Sequence, residues 1–427
     1  MFYWHGYPYT NFHELNLDWV LEKVKANKDA IEAIAQKEDT AITESLERLA
    51  EEGKLDAALE AFTDAGYVNI ASLDQNNLEA AIANAMEGSR GLYVAPGVYS
   101  CNITLTRDYE IVGVGKIIGK INANGFRLLV RGIQVENTEN VCIHNENATG
   151  RVWIENCHLK GLQPPIHING AKHCKISGCI IENFETSNTY PVTVYNCDEV
   201  DVANNKVVNR CVYTETHGIA VFGCAGGAAI SGNHVYMNGQ AFGISVANSE
   251  KSTITGNIVL NSGREAINAE SVKECAIVGN VCHWDSGVSR DYGISVFGYS
   301  DKYGFESRIN IIANNTIYNC LKSFCAVAGK ITAAYVTGNS GFSNFVGRPE
   351  SELACVTVNK DANSEAPAIV AIMGNMAIPG DIPPTIGVYS PDQVRSLSTV
   401  AFNNMPAPVT GVQTNWNSSY NIWGYQA

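Results

Sequence analysis

Hydrophobic and polar residues alternate in short runs along most of this chain, and one six-residue phrase returns between Ile133 and Asn404. The phrase is an apolar residue, two variable residues, usually Asn, one further residue and a second apolar residue. Its clearest copies are Ile230-Ser-Gly-Asn-His-Val235, Ile254-Thr-Gly-Asn-Ile-Val259 and Ile277-Val-Gly-Asn-Val-Cys282. Because alternation with period two is typical of strands and not of helices, we predict a repeat built from strands.

The spacing of the phrase indicates a solenoid. Weaker copies place Asn at positions 205, 315, 339 and 375, and Cys157 and Cys179 take the Asn position earlier in the chain. From Cys157 onward, successive copies are 22, 26, 28, 24, 23, 35, 24 and 36 residues apart. A period in the twenties with occasional longer turns predicts a coiled repeat whose insertions are loops.

A second phrase lies between these copies, as in Gly218-Ile-Ala-Val-Phe222 and Gly293-Ile-Ser-Val-Phe297. Two or three short strands per turn, paired at about 4.8 Å, make a parallel β-helix. We expect the recurrent Asn to adopt the left-handed conformation at a bend and to hydrogen-bond with its copies along the axis. The Asn row is therefore interpreted as structural.

The N-terminal residues follow a different pattern. Residues 1–16 are aromatic and aperiodic, which favours a docking segment. Residues 17–66 are helical in pattern, with Asn16 as a cap, and predict a coiled-coil neck; a lone amphipathic helix is the alternative. The apolar stripe of this segment has three polar exceptions, Lys28, Glu38 and Ser45, and consists of Leu17, Leu21, Val24, Ile31, Ala35, Ile42 and Leu49.

Composition narrows the function classes. The formal charge of −14 argues against a nucleic-acid partner, and no apolar run is long enough to predict membrane insertion. The N-terminus lacks the basic and apolar regions of a signal peptide, so we expect assembly in a cytoplasm. The 13 Cys include no CxxC pair and are interpreted as interior thiols, with neither a metal site nor a cofactor predicted.

One phrase carries a resemblance to a known family. A helix around Leu78, followed by Gly91-Leu-Tyr-Val-Ala-Pro-Gly-Val-Tyr99, resembles the opening of the pectate-lyase-like superfamily. The resemblance implies an all-β solenoid, a right-handed single-stranded parallel β-helix, over residues 67–404. It does not carry an activity, because neither the family's calcium-site Asp pattern nor a paired-Asp motif can be matched here.

The segment Asn11-Phe-His-Glu-Leu-Asn-Leu-Asp-Trp-Val-Leu-Glu-Lys-Val24 is similar to the opening of virion proteins in podovirus-like bacteriophages. That resemblance implies a virion location, attachment to tail or collar proteins through the N-terminus, and a homotrimer whose solenoid points outward. A dimer also fits the mixed coiled-coil stripe. The residues implied in virion anchoring are Phe12, His13, Leu15, Leu17 and Trp19.

Aligning the second phrase across turns stacks equivalent residues on one face. Aromatic side chains that can stack on sugars then border carboxylates, which predicts a groove for host surface polysaccharide. The candidate catalytic carboxylates are Glu265 and Glu270, with Asp291 as the alternative partner, and exposed surface carboxylates are the competing interpretation. The candidate substrate-binding residues are Tyr190, Tyr195, His217, Phe222, Phe242, Arg264, Tyr292, Phe297 and Trp284.

Three interpretations of function follow. The first is a phage tailspike or appendage protein that binds host glycan, either with or without cleaving that glycan. The second is a stand-alone polysaccharide-degrading enzyme, and the third is a structural virion component without a ligand. Residues 405–427, rich in Trp and Tyr, are predicted to cap the open end of the solenoid.

Overall fold

The computed structural model describes residues 61–423 apart from several gaps. The gaps are 147–149, 185–188, 212–215, 239–241, 286–291, 300–306, 321–322, 344–353, 360–366, 380–385, 390–398, 402–403 and 406–421. Two compact units are distinguished, 1–65 and 66–427. Residues 1–60 lie outside the described residues, and with them the docking segment, the anchoring residues and nearly all of the predicted coiled coil. Residues 61–64, at the end of the predicted coiled coil, are helical.

The second unit is a solenoid of three parallel sheets. Each strand pairs with the strand about one turn earlier and the strand about one turn later, as Ile219–Phe222 does with Val192–Tyr195 and Ile244–Ala247. All strand pairings in the described residues are parallel, which confirms the predicted parallel β-helix.

The first sheet begins at the N-terminal end of the solenoid. Its fourteen strands are Tyr67–Asn69, Gly91–Val94, Tyr109–Gly113, Leu128–Arg131, Arg151–Glu155, His173–Ser177, Glu199–Ala203, Ala228–Ser231, Lys251–Thr255, Glu274–Val278, Ser307–Ala313, Ile331–Thr337, Ile369–Met373 and Thr399–Ala401.

The second sheet contains the second sequence phrase. Its twelve strands are Ile103–Thr104, Ile121–Asn122, Ile143–Asn145, Ile166–Asn169, Val192–Tyr195, Ile219–Phe222, Ile244–Ala247, Ile267–Glu270, Ile294–Gly298, Ser323–Gly329, Ala354–Asn359 and Ile386–Tyr389.

The third sheet follows the recurrent Asn. Its fourteen strands are Val98–Ser100, Lys116–Ile118, Gln134–Asn137, His158–Gly161, Ile180–Asn183, Lys206–Asn209, His234–Met237, Ile258–Leu260, Val281–His283, Thr316–Tyr318, Ser340–Ser343, Met376–Pro379, Asn404–Met405 and Ile422–Trp423. The last of these places Trp423, from the predicted cap, in a strand paired with Asn404–Met405.

The interior is filled by rows of identical or similar apolar side chains. Ile219, Ile244, Ile267 and Ile294 stack on one another in successive turns and are fully buried. Each such side chain stabilises the folded state by roughly 1.5–3 kcal/mol relative to exposure in water. At the N-terminal end, helix α1 (Leu78–Met86) adds Leu78, Ile82 and Met86 to this core, four residues apart on one helical face.

The Asn row forms a buried hydrogen-bonded ladder, as expected. The side-chain amide of Asn233 donates to the Oδ1 atom of Asn257 at 2.9 Å, and Asn257 donates to Asn280 at 3.0 Å. The same Oδ1 atoms also accept the backbone N–H of the preceding Asn. The ladder continues from Asn280 through Asn315 and Asn339 to the Oδ1 atom of Asn375.

The expectation that the ladder Asn is left-handed is wrong. The residue before it takes that conformation: Gly232 has φ 64° and Asn204 has φ 56°, whereas Asn233 and Asn205 do not have positive φ. A Cβ atom on Gly232 would lie 2.4 Å from the Oδ1 atom of Asn204, so a larger residue there would displace that side chain. The ladder Asn is thus free to direct its amide inward.

The cysteines are interior thiols, as predicted. The twelve Cys whose side chains are described are all buried, including Cys157 and Cys179 in the ladder row. Cys179 accepts the backbone N–H of Cys157 at 3.5 Å, and its own N–H donates to Asn205. Burial raises the pKa of Cys275 to about 12, so this thiol is protonated and unreactive at neutral pH.

Candidate functional site

The outer face of the second sheet carries the predicted rows of side chains. The leading row lies two residues before each strand and consists of Tyr190, His217, Phe242, Glu265 and Tyr292. The trailing row is the fourth residue of each strand, in register, and consists of Tyr195, Phe222, Ala247, Glu270 and Phe297. A floor row of small side chains lies between them and consists of Thr193, Ala220, Ser245, Asn268 and Ser295.

These rows define a groove that follows the stacking direction of the strands. The floor side chains are buried although they are on the outer face, with the larger side chains of the leading and trailing rows on either side. In the floor, Ser295 donates to the Oδ1 atom of Asn268 at 2.9 Å. The hydroxyl of Thr193 has no hydrogen-bond partner among the described residues. The sequence therefore predicted the two rims of this groove, and the structure adds its floor.

Aromatic rings contact one another from turn to turn along the groove. The rings of Tyr195 and Phe222 are 5.4 Å apart in the trailing row, and Tyr190 meets His217 edge to face at 4.5 Å in the leading row. His217 also approaches Phe222 across the floor at 5.8 Å. Because ring stacking repeats at the strand spacing, the groove offers a continuous aromatic surface over these turns.

A stack of three side chains organises the leading row. The imidazole of His217 lies 4.9 Å from the Phe242 ring at an interplanar angle of 14°. The Arg264 guanidinium lies 4.6 Å from the centre of the same Phe242 ring. Burial, together with the positive charge of Arg264, lowers the pKa of His217 to about 4. His217 is therefore neutral at physiological pH. Its Nδ1 atom has no hydrogen-bond partner within the described part of the chain.

The two candidate catalytic carboxylates are placed on opposite rims of one turn. Glu265 is in the leading row and only 3% exposed, with Arg264 Nε 3.8 Å from its Oε2 atom. Glu270 ends the same strand in the trailing row and is partly exposed, with Asn268 between them. The third candidate, Asp291, lies outside the described residues.

The remaining predicted residues divide between the groove and the core. Tyr292 and Phe297 are partly exposed and meet edge to face at 6.5 Å. Trp284 is 1% exposed and its indole N–H donates to the backbone carbonyl of Ser262. A buried indole offers no face to a ligand in the groove, so Trp284 belongs to the core and not to the substrate-binding set.

The part of the groove that precedes Tyr190 was not predicted from the sequence. There the second sheet lines a pocket of about 700 Å³, which we call the upstream pocket. His144 and His167 occupy the floor row in two successive turns, in register with Thr193. The pocket is also lined by Lys120, Glu139, Glu146, Tyr190 and Tyr195.

Glu146 is the centre of a polar cluster in this pocket. Its Oε1 atom lies 3.1 Å from His167 Nε2 and 3.5 Å from His144 Nε2, while Oε2 accepts a 2.8 Å hydrogen bond from Asn169. Burial alone raises the pKa of Glu146, but the Asn169 hydrogen bond and the two imidazoles outweigh it and lower the pKa. Burial lowers the pKa of His144, with Lys120 and His167 acting in the same direction. The carboxylate of Glu146 therefore favours its charged form, and the imidazole of His144 favours its neutral form.

A sequence signal for this cluster exists. The phrases Ile143-His-Asn-Glu146 and Ile166-His-Ile-Asn169 lie two turns and one turn before Val192-Thr-Val-Tyr195 and align with it. Their polar residues hide the pattern because His replaces the small floor residue and Glu or Asn replaces the aromatic trailing residue. The same alignment, carried two turns upstream, places His144, Glu146 and His167 at the floor and trailing positions.

The family comparison agrees with this geometry. The model of the family described as "Right handed beta helix region" matches residues 118–282 and 164–352, which together span more than half of the chain. The chain therefore belongs to the right-handed β-helix family. No curated protein matches the sequence.

Solved structures with the same fold include enzymes and phage proteins, each 13% identical to this chain. The catalytic unit of a GH87 α-1,3-glucanase from Streptomyces thermodiastaticus has a TM-score of 0.53, with 85% of this chain and 70% of the glucanase chain covered. The A-module of Azotobacter vinelandii mannuronan C-5 epimerase AlgE4 has a TM-score of 0.51, with 82% and 98% covered.

Tailspike protein 3 of bacteriophage CBA120 has a TM-score of 0.52, with 81% of this chain and 62% of the tailspike chain covered. This chain thus spans less than two thirds of that tailspike's length. At such low identity the likeness shows the fold alone. No helix among the described residues is both long and apolar enough to cross a membrane.

Proposed function

We propose that this chain is a tailspike or appendage protein of a bacteriophage virion, that it acts as a homotrimer, and that it binds host surface glycan in the groove of the second sheet. The observation that carries the glycan proposal is the pair of rims in register. Tyr195, Phe222 and Phe297 on one side face Tyr190 and Tyr292 on the other, across a floor of small polar and apolar residues.

Such a groove matches the chemistry of sugars. Aromatic rings stack on the apolar faces of sugar rings, and polar floor groups can bind hydroxyls. The Thr193 hydroxyl and the His217 Nδ1 atom are buried in the groove without a partner among the residues described. Buried polar atoms cost free energy unless a partner satisfies them, so these two atoms favour a polar ligand.

The virion part of the proposal is supported by two observations of different kinds. The segment Asn11–Val24 is similar to the opening of podovirus-like virion proteins, although it lies outside the described residues. The fold is shared with tailspike protein 3 of bacteriophage CBA120, among other proteins. In this proposal residues 1–16, including Phe12, His13, Leu15, Leu17 and Trp19, attach to tail or collar proteins.

Self-association is supported by the outer face of the third sheet. One outward row there is rich in apolar side chains and includes an exposed Tyr236 and a stacked pair, Tyr318 and Phe342, at 4.9 Å. The row runs in register through Val208, Tyr236, Leu260, His283, Tyr318 and Phe342. Contiguous apolar surface of this kind is typical of association faces, and a trimer would bury it against two further copies.

Cleavage of the bound glycan is a second candidate function. Glu265 and Glu270 lie on opposite rims of the same turn of the groove, and a pair of carboxyl groups on either side of a bound glycan is the usual machinery of glycoside hydrolysis. The low exposure of Glu265 is typical of a carboxyl group with a specialised role and not of a solvated surface charge.

One experiment tests binding and cleavage together. The full chain is titrated with a panel of purified bacterial capsular, O-chain and teichoic polysaccharides, and both affinity and release of reducing ends are measured. We expect Tyr195→Ala/Phe222→Ala to weaken binding at least tenfold, since each aromatic stacking contact contributes about 1 kcal/mol or more. Tyr335→Ala, an exposed aromatic on the first sheet, is the matched control and should bind normally.

Glu265→Gln/Glu270→Gln separates the two functions. Loss of reducing-end release with retained binding would make the protein a depolymerising spike, whereas binding without release by the native chain would make it an adhesin. If no polysaccharide binds, or if the groove variant and the Tyr335 control bind equally, the groove is not the glycan site.

A further inference from the structure

The upstream pocket contains three side chains that could act together on a metal ion. His144 and His167 lie in register on neighbouring strands, and their rings are stacked at 5.5 Å with an interplanar angle of 21°. Glu146 follows His144 by two residues and so projects from the same face. One nitrogen from each ring and one carboxylate oxygen all lie within 4.8 Å of one another.

The separations fit a small divalent ion. Ligand atoms around a tetrahedral zinc ion with bonds near 2.05 Å are about 3.3 Å apart. The Glu146 Oε1 atom lies 3.1 Å from His167 Nε2 and 3.5 Å from His144 Nε2. Two of the three separations therefore suit one ion, and the ring nitrogens lie within 4.8 Å of each other, so rotation of the imidazoles would complete the site.

Neighbouring residues orient two of the ligands. His144 Nδ1 lies 3.3 Å from the Oδ1 atom of Asn122 in the preceding turn, so the tautomer with its proton on Nδ1 can donate to Asn122 and direct the Nε2 lone pair at an ion. Asn169 donates to Glu146 Oε2 and leaves Oε1 directed at the imidazoles. Outer contacts of this kind fix the tautomer and the direction of metal ligands.

The charge of the pocket also favours a cation. Apart from the imidazoles, Lys120 contributes one positive charge and Glu139 and Glu146 contribute one negative charge each, so these three lining side chains sum to −1. Two imidazoles and one carboxylate suit zinc and similar transition ions, whereas calcium and magnesium prefer oxygen ligands alone.

We propose that His144, Glu146 and His167 form a binding site for a divalent transition-metal ion of the zinc type, with an open coordination position facing the upstream pocket. Both imidazoles are partly exposed, 21% and 25% for their side chains, so the ion has access from solvent. The proposal does not depend on the groove binding glycan. An ion here would give the pocket an electrophilic anchor for any oxygen-bearing ligand.

The test is direct metal binding by the full chain. The protein is stripped with a chelator, dialysed and titrated with zinc chloride by calorimetry, and bound metal is counted by mass spectrometry. We expect one zinc ion per chain at this site, with Glu146→Gln and His167→Gln each weakening it at least tenfold. Cobalt substitution adds a spectroscopic readout, because visible absorption of bound cobalt reports nitrogen and oxygen ligation.

A matched control comes from the third sheet. His158 also lies beside a carboxylate, with Nε2 2.9 Å from Glu182, but lacks a second imidazole among the described neighbours. His158→Gln should leave zinc binding unchanged, and circular dichroism should show that all variants are folded. Absence of bound zinc, or equal binding by the native chain and the His167 variant, would overturn the proposal. Glycan binding by the stripped protein is measured separately, so that either proposal can fail alone.

Discussion

The Asn ladder and the groove of the second sheet both contain buried polar side chains, and the two regions differ in how fully the protein satisfies them. In the Asn ladder every side-chain amide from Asn205 to Asn339 donates to the next Asn and to a backbone carbonyl, as Asn257 does to Asn280 and Ile230. In the groove of the second sheet, Thr193 and His217 have buried polar atoms without partners in the described residues. A satisfied row stabilises the fold, whereas buried polar atoms without partners cost free energy and are more typical of a functional region.

The comparison also teaches where a repeat can vary. The ladder tolerates Cys157 and Cys179, because a thiol can accept the same backbone N–H that the Asn amide accepts. The groove rows change from aromatic to acidic to small between turns, while the inward rows stay apolar, with Ile repeated in one row and Val or Ala in the other. Packing restricts the inward positions, and function is left to the outward ones.

The largest expected effect is on the ladder. Asn257→Ala removes a side chain that donates to Asn280 and Ile230 and accepts from the backbone and side chain of Asn233. Several buried groups lose partners at once, so we expect the free energy of unfolding to fall by about 4 kcal/mol. Urea denaturation measures it.

The control for this prediction is Asn238→Ala on the surface. Asn238 is exposed and makes one hydrogen bond, to the backbone carbonyl of Arg210. Its replacement should change stability by no more than about 0.5 kcal/mol. Equal losses in the two variants would show that the ladder has no special role in stability.

An intermediate effect is expected at His217 and depends on pH. Its folded pKa of about 4 lies below the unfolded value near 6.5, so the folded state stays neutral while the unfolded state gains a proton as the pH falls. The contribution of neutral His217 to the free energy of unfolding is fully present above pH 6.5 and is lost between pH 6.5 and pH 4. At pH 5 the free energy of unfolding is lower by about 2 kcal/mol.

His217→Phe removes this titration and keeps a ring against Phe242. We therefore expect native and variant chains to diverge in stability between pH 7 and pH 5, with the variant declining less. Denaturation at several pH values measures the difference. Parallel curves for the two chains would show that His217 titrates normally in the folded state.

The smallest expected effect is at Arg264. Arg264→Gln removes a guanidinium from the Phe242 ring and a positive charge that lowers the pKa of His217. Because Arg264 is exposed, stability should fall by less than about 1 kcal/mol, while the pKa of His217 should rise. A proton NMR titration of His217 measures the shift, and an unchanged pKa would leave burial as its sole cause.

Much of the fold was predictable because its register is local. The Asn spacing identified the bends, and the second phrase identified the strands whose rims carry Tyr195, Phe222 and Glu270. The position of the left-handed residue was not predictable, since both Gly232 and Asn233 are residue types that tolerate positive φ. Only the tertiary structure shows that Gly232, and not Asn233, adopts the left-handed conformation at the bend.

The candidate site was predicted in part for a related reason. Trp284 lies in a lengthened turn, and whether its ring points outward or into the core depends on the path of that turn. The sequence pattern did not predict the cluster of His144, Glu146 and His167. Neither His matches the residue types at the equivalent floor positions of the later turns. Their proximity depends on strand pairing between residues more than twenty positions apart.

The sequence alone determined the β-helix, the buried rows and the side chains on the rims of the groove, because period-two alternation and a regular repeat fix which residues stack. Tertiary structure decided which outward residues remain accessible, which polar atoms lack a hydrogen-bond partner and which imidazoles lie beside a carboxylate. Those properties depend on distances of a few ångströms between separate turns, which loop lengths and side-chain rotamers set and a repeat pattern does not.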